Sequence, residues 1–116
     1  MKSKGDFYES LACQHLQQAG LRLMQSHFKA GRWEVDLIMK DGATLVFVEV
    51  KYRRNHLYGG AANALSHSQI NRLRGAASYY LQSHKLKEYK TQCRFDLVAI
   101  TGEPPQQHIE WLKNAF

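Results

Sequence analysis

The stretch Trp33-Glu34-Val35-Asp36-Leu37-Ile38-Met39-Lys40-Asp41-Gly42-Ala43-Thr44-Leu45-Val46-Phe47-Val48-Glu49-Val50-Lys51 decides the architecture. Its first half sets Trp33, Val35, Leu37 and Met39 against Glu34 and Asp36, the two-residue period of a half-buried strand over residues 33–40. Asp41-Gly42 is a hairpin signal, because glycine takes the positive φ that a tight primed turn requires. The second strand, residues 44–52, is apolar on both faces from Leu45 to Val48, which suits a central strand covered from two sides. Glu49 and Lys51 then interrupt it. A two-residue turn at Asp41-Gly42 pairs Lys40 with Ala43 and so Asp36 with Phe47. Glu49 and Lys51 then share Asp36's face, with Asp36 and Glu49 diagonal neighbours at about 7–8 Å.

Outward from this hairpin, Tyr8, Leu11, Ala12, Leu16 and Ala19 recur at helical spacing and Gly20 follows, predicting a first helix over residues 5–19. Residues 21–28 read as a first strand and 29–32 as a glycine-bearing turn. Residues 53–63 read as a loop containing Gly59-Gly60, where Arg53, Arg54 and His56 mingle with Tyr52 and Tyr58. Ser66 or Ser68 caps a second helix ending near Ser83, with Ile70, Leu73, Ala77, Tyr80 and Leu81 as its apolar stripe. A charged connector over 85–92 leads to a strand over 95–100, and residues 108–112 form a short strand after Pro104-Pro105. The order αβββαβ, with that last short strand, gives an α/β three-layer sandwich in which two helices flank a mixed sheet.

The chain has 116 residues, 44% hydrophobic and 22% charged, the composition of one globular domain spanning 1–116. Cys13 and Cys93 are too few for a disulfide framework and form no zinc-type spacing, which points to a reducing compartment, the cytoplasm. Residues 1–10 lack the apolar segment of a signal peptide, and the run Leu45 to Val48 is far short of the roughly 20 residues of a membrane span. Sixteen Lys and Arg against ten Asp and Glu, a charge of +6, favour a polyanionic partner.

Placing Glu49 and Lys51 on a strand written in Val, Leu and Phe demands compensation, because burying an unpaired charge costs several kcal/mol, roughly, or forces its neutralisation. The simplest answer is a salt bridge from Lys51 to Glu49 or Asp36 at a strand end reaching water. The other is a divalent cation. Mg²⁺ prefers oxygen ligands and keeps several waters, so one or two carboxylates with a substrate phosphate suffice to hold it. Such a centre generates hydroxide and steadies a leaving oxygen, and a neighbouring lysine stabilises developing charge on phosphorus.

Asp36 followed by Glu49-Val50-Lys51, with Glu9 on a preceding helix, resembles the PD-(D/E)xK nuclease motif of the restriction-endonuclease-like fold. Glu34-Val-Asp36-Leu-Ile38, Val46-Phe-Val-Glu-Val-Lys51, Arg53, Gly59 and Arg94-Phe-Asp96 more closely resemble the bacterial YraN family of nuclease-like proteins, related to Holliday-junction resolvases, over nearly the whole chain. The resemblance implies that Asp36, Glu49 and the backbone carbonyl of Val50 ligate Mg²⁺ or Mn²⁺, that Glu9 completes the acidic cluster, that Lys51 positions the attacking water and that Gln69 borders the site. Two positions depart from the family pattern: Trp33 stands where glycine is usual, and Ser68 where a lysine usually precedes Gln69.

The leading expectation is a metal-dependent endonuclease acting on DNA rather than RNA, at branched or damaged sites. A structure-selective enzyme this small is expected to work as a homodimer. Arg53, Arg54, Arg72, Arg74 and Tyr52 are the candidate nucleic-acid contacts. The rival is a non-catalytic nucleic-acid-binding module retaining the same fold, and the third reading a structural domain whose cluster is a salt bridge. The six histidines are scattered and show no ligand-pair spacing. Arg94 and Asp96 are expected to form a structural ion pair, and Trp33 and Trp111 to belong to the core.

Overall fold

The computed structural model describes residues 4–54 and 65–115. Helix α1 (Lys4–Gln18) leads into strands β1 (Arg22–Ala30), β2 (Trp33–Asp41) and β3 (Thr44–Arg53). Helix α2 (His67–Ser83) and a single 3₁₀ turn (Glu88–Lys90) precede β4 (Cys93–Thr101) and β5 (His108–Leu112). The five strands form one open sheet in the order β1-β2-β3-β4-β5, antiparallel throughout except where β3 and β4 run parallel, joined across α2. The short strand over 108–112 is thus a full member of the sheet. The predicted loop over 53–63 lies outside the described residues from 55 onward.

The two helices cover opposite faces. Tyr8, Ala12 and Leu16 of α1 bury against Leu37, Met39, Val46, Val48, Val98 and Ile100. Leu73, Ala76, Ala77, Tyr80 and Leu81 of α2 bury against Ile38, Leu45 and Phe47 on the other side. Burial of each such large apolar side chain stabilises the fold by about 1.5–3 kcal/mol. β3 lies between β2 and β4, which is why its apolar run has no polar face until Glu49. Of the two serines able to cap α2, Ser66 does so. Its hydroxyl accepts from the Gln69 backbone N–H at 3.2 Å, and the Gln69 side-chain oxygen accepts from the Ser66 N–H at 2.9 Å, a reciprocal capping box.

The β2–β3 register corrects the predicted one. Asp41 pairs with Thr44, so the central turn residues are Gly42-Ala43 rather than Asp41-Gly42. Gly42, at φ +60°, takes the first central position, where a type II′ turn needs its glycine, instead of the second position of a type I′ turn. Ile38 rather than Asp36 therefore faces Phe47, and Leu37 faces Val48. Because the partner moves by two residues, side-chain faces within the ladder are unchanged, and its last pair, Leu37 with Val48, leaves Asp36 and Glu49 as the next residues on the two strands.

Trp33 opens β2 opposite Ala30, with the Arg32 guanidinium 4.7 Å from its ring centroid. Its ring lies against Gly75 in the middle of α2: a Cβ there would fall 2.4 Å from Trp33 Cε3. The glycine-to-tryptophan departure is thus accommodated across the helix–sheet gap. Replacing glycine by alanine inside a helix ordinarily gains about 1 kcal/mol. Here overpacking, typically about 1–3 kcal/mol, opposes it, so Gly75→Ala should destabilise by up to about 2 kcal/mol in urea unfolding. Combined with Trp33→Val, the same change should turn neutral or stabilising. A stabilised Gly75→Ala single variant would contradict the contact.

Candidate functional site

The ladder between β2 and β3 stops at Leu37 and Val48. Beyond it, the Val50 N–H donates to Asp36 Oδ2 at 2.9 Å, so a side chain takes a main-chain donor where the strands part. β2 also loses its alternation at this residue: Val35 packs into the α2-side cluster, and Leu37, two residues on, into the α1-side cluster. On the other flank, β1 pairs Ser26 with Leu37 and Phe28 with Val35, and His27 between them adopts φ +52°. Asp36 therefore sits at a double irregularity, flanked by two strands. Val50 and Tyr52 stay on the α1 face, which directs Glu49 and Lys51 to the α2 face.

Carboxylates from β2, β3 and α1 gather where the two strands part, without enough counter-charge. Burial pushes the Glu49 carboxyl up to about 9, aided by a hydrogen bond with Asp36 and the Asp36 charge; Lys51 pulls the other way. The Glu9 carboxyl is pushed up to about 7, first by burial and then by Asp36, with His27 opposing. Asp36 is thus the link between Glu49 on β3 and Glu9 on α1. The salt bridge predicted as the simplest account is not formed: among the described residues no ion pair joins Lys51 to Asp36 or Glu49.

Glu9 has nearer neighbours that the sequence reading passed over. Its Oε1 lies 2.5 Å from His27 Nε2, while the ring makes its hydrogen bond to Asp6 Oδ1 at 3.2 Å. Ligand atoms of Asp6, Glu9 and His27 lie within 4.8 Å of one another, beside a cleft of about 260 Å³ that Ser10 and Cys13 also line. Asp6 and Glu9 stand three apart on α1 and so share a face, a signal present in the sequence. His27 was invisible because only its positive φ turns it toward α1.

The remaining candidates fall elsewhere. The Gln69 side-chain oxygen is engaged by the α2 cap. Tyr52 stacks on Tyr8 with ring centroids 3.9 Å apart, and its hydroxyl donates to Glu103 at 2.7 Å, so its ring is packed against α1. These contacts raise the Tyr52 hydroxyl well above the usual phenol range. Arg53 is half-buried at the end of β3, while Arg54, Arg72 and Arg74 are exposed. Asp96 is fully buried, and it accepts from Arg94 Nε at 3.1 Å, Trp111 Nε1 at 2.9 Å and the Asn114 N–H at 2.9 Å. Arg94 also reaches Asp41 at 2.8 Å, as a structural ion pair would.

The sequence profile of the uncharacterised protein family UPF0102 matches residues 8–100, the span from Tyr8 of α1 to Ile100 of β4. The chain belongs to the UPF0102 family. This UPF0102 chain is 47% identical to a UPF0102 protein of Colwellia psychrerythraea over 113 residues, covering 97% of this chain and 88% of that one. It is 46% identical to a UPF0102 protein of Shewanella woodyi over 115 residues, covering 99% and 92%, and 44% identical to one of Yersinia pestis, covering 99% and 95%. The YraN-type resemblance is thereby established at the level of the family. Within the UPF0102 match lie Glu9, Asp36, Glu49 and Lys51, and among the described residues no helix is long and apolar enough to cross a membrane.

Proposed function

We propose that this UPF0102 protein is a metal-dependent nuclease of the restriction-endonuclease-like type, hydrolysing DNA phosphodiesters at the Asp36, Glu49, Lys51 cluster. The observation that carries the reading is the convergence of acidic side chains where the two strands part: the Val50 N–H donates to Asp36 Oδ2 at 2.9 Å, and burial together with Asp36 pushes both the Glu49 and the Glu9 carboxyl up. Two carboxylates that repel each other in a partly buried site, with no ion pair from Lys51, form an all-oxygen donor set that fits Mg²⁺ or Mn²⁺. Asp36, Glu49, the Val50 carbonyl and Glu9 would hold the ion, which supplies charge neutralisation and an acidified water.

The chain's own groups do the rest. Asp36 is fixed by the Val50 N–H, which holds its carboxylate beside the strand that carries Glu49. Lys51, one strand period beyond Glu49 and on the same face, directs a water lone pair toward phosphorus and offsets charge gathering on the phosphoryl oxygens. The excess of basic residues draws in the polyanion. Branched or damaged DNA is the substrate, a homodimer placing two sites across two strands is the working unit, and the cytoplasm, where Cys13 and Cys93 would stay free thiols, is the setting.

Cleavage of end-labelled linear, nicked, flapped and four-way-junction DNA with Mg²⁺ or Mn²⁺ tests this. Products are expected from the wild type and should fall at least about a hundredfold in Glu49→Gln and in Lys51→Ala. Binding of the panel with no cleavage above the background of the variants would replace the enzyme with a DNA-binding module.

A further inference from the structure

The most exposed large aromatic side chain among the described residues is Tyr89, 78% accessible, on the 3₁₀ turn Glu88–Lys90. Its surroundings are cationic. Lys87 Nζ lies 5.9 Å and Lys90 Nζ 5.8 Å from its ring centroid. The turn is fixed from within: the Thr91 hydroxyl donates to the Lys87 carbonyl at 2.8 Å, and the Lys90 N–H to the same oxygen at 3.0 Å. Between this turn and α2 opens a cleft of about 410 Å³ lined by Arg74, Ser78, Thr91 and Phe95. Thr91, which directly follows the turn, lines this cleft together with Arg74 of α2, and the sequence from Lys85 to Lys90 carries three lysines against Glu88.

We propose that Tyr89, Lys87 and Lys90 form a stacking platform for an unpaired nucleotide of a single-stranded DNA segment, with Arg74 taking a phosphate beside it. An aromatic ring held in water by a braced turn, with two ammonium groups within about 6 Å of its centroid, matches what single-strand binders use: bases stack irrespective of sequence while neighbouring charges neutralise phosphates. The platform is separate from the acidic cluster. Cys93, which follows it, pairs with Leu45, and Leu97 pairs with Glu49. Four residues of β4 therefore separate the two levels, about 13 Å along the sheet. Phe95, which lines the cleft, also stacks on Phe47 of β3, on the α2 face toward which Glu49 points. A single strand held on Tyr89 would be bound apart from the acidic cluster, so the platform would select substrates with an unpaired arm.

The proposal rests on the nucleic-acid reading above, and the test separates the two. Fluorescence anisotropy of labelled single-stranded and duplex oligonucleotides, at two salt concentrations without divalent metal, is compared for wild type, Tyr89→Ala, Tyr89→Phe and Lys87→Gln/Lys90→Gln, each checked for an unchanged melting curve. Tyr89→Ala should weaken single-strand binding about tenfold with little effect on duplex, and Tyr89→Phe should retain it. The double lysine variant should lower the single-strand salt slope by about 1.4. Equal loss on duplex and single strand, or no loss in Tyr89→Ala while the wild type binds, overturns the platform and leaves the nuclease reading standing. A wild type that binds neither form at either salt overturns both.

Discussion

Asp96→Ala should destabilise the protein by about 3–5 kcal/mol, the usual consequence of stripping one partner from a buried ion pair. The carboxylate is 0% exposed and receives Arg94, Trp111 and the Asn114 N–H. Its removal strips Arg94 Nε, the Trp111 indole N–H and the Asn114 N–H of their acceptor at once, and loosens β5 and the turn after it, which the backbone ladder to β4 still holds. Against a total stability of about 5–15 kcal/mol this is a large share, and a fall in melting temperature of about 10–25 °C should follow. Asp41→Ala is the matched comparison. It removes the other acceptor of Arg94, but the Asp41 side chain is 39% exposed, so its loss should be worth under about 1 kcal/mol. Urea unfolding of both variants decides the matter: similar losses from the two would mean that Asp96 is not the hub its contacts describe.

The second large effect is a loss of stability with rising pH in the metal-free protein. Glu49 at about 9 and Glu9 at about 7 both stand above the ordinary glutamate value of 4.5. A carboxyl whose pKa is raised by folding holds its proton more tightly in the folded state. Its stabilising contribution is complete below pH 4.5 and disappears as pH climbs through 7 for Glu9 and 9 for Glu49. Allowing for solvent screening, the wild type should lose about 1–3 kcal/mol between pH 5.5 and pH 8.5 in the presence of chelator. Glu49→Gln imitates the protonated form, so it should be the more stable protein at pH 8.5, with a shallower slope. Adding Mn²⁺ at pH 8.5 should recover stability in the wild type and much less in Glu49→Gln, because only an ion bound to the folded state shifts the equilibrium. A wild-type profile that stays level from pH 5.5 to 8.5 would show that the carboxyls are not in conflict.

The layered α/β arrangement was readable because its determinants are periodic. The stripe of Leu73, Ala77, Tyr80 and Leu81 has only one way to bury itself, as does the apolar run of β3. The shared side of Glu49 and Lys51 was also readable, since two residues apart on one strand depend only on its period. Exact register was not, because Asp41-Gly42 and Gly42-Ala43 both present a glycine to a tight turn and differ only in which central position it fills. The approach of Asp6 and His27 to Glu9 was hidden for another reason. It depends on a left-handed residue inside a strand and on a break in alternation at Asp36, neither of which leaves a mark in hydrophobic patterning. The stacking of Tyr52 on Tyr8 was not readable either, because an aromatic beside two arginines carries no sign in the sequence of the helix that packs on it.

The contact between Trp33 and Gly75 gives two distant positions a joint inheritance. A lineage with a small residue at the start of β2 is free to place alanine, a better helix former, in the middle of α2. A lineage that acquires the tryptophan forfeits that freedom for as long as it keeps the ring. Alanine at 75 beside the retained tryptophan should cost stability, whereas alanine at 75 with a small residue at 33 should not, so the order in which the two positions change matters.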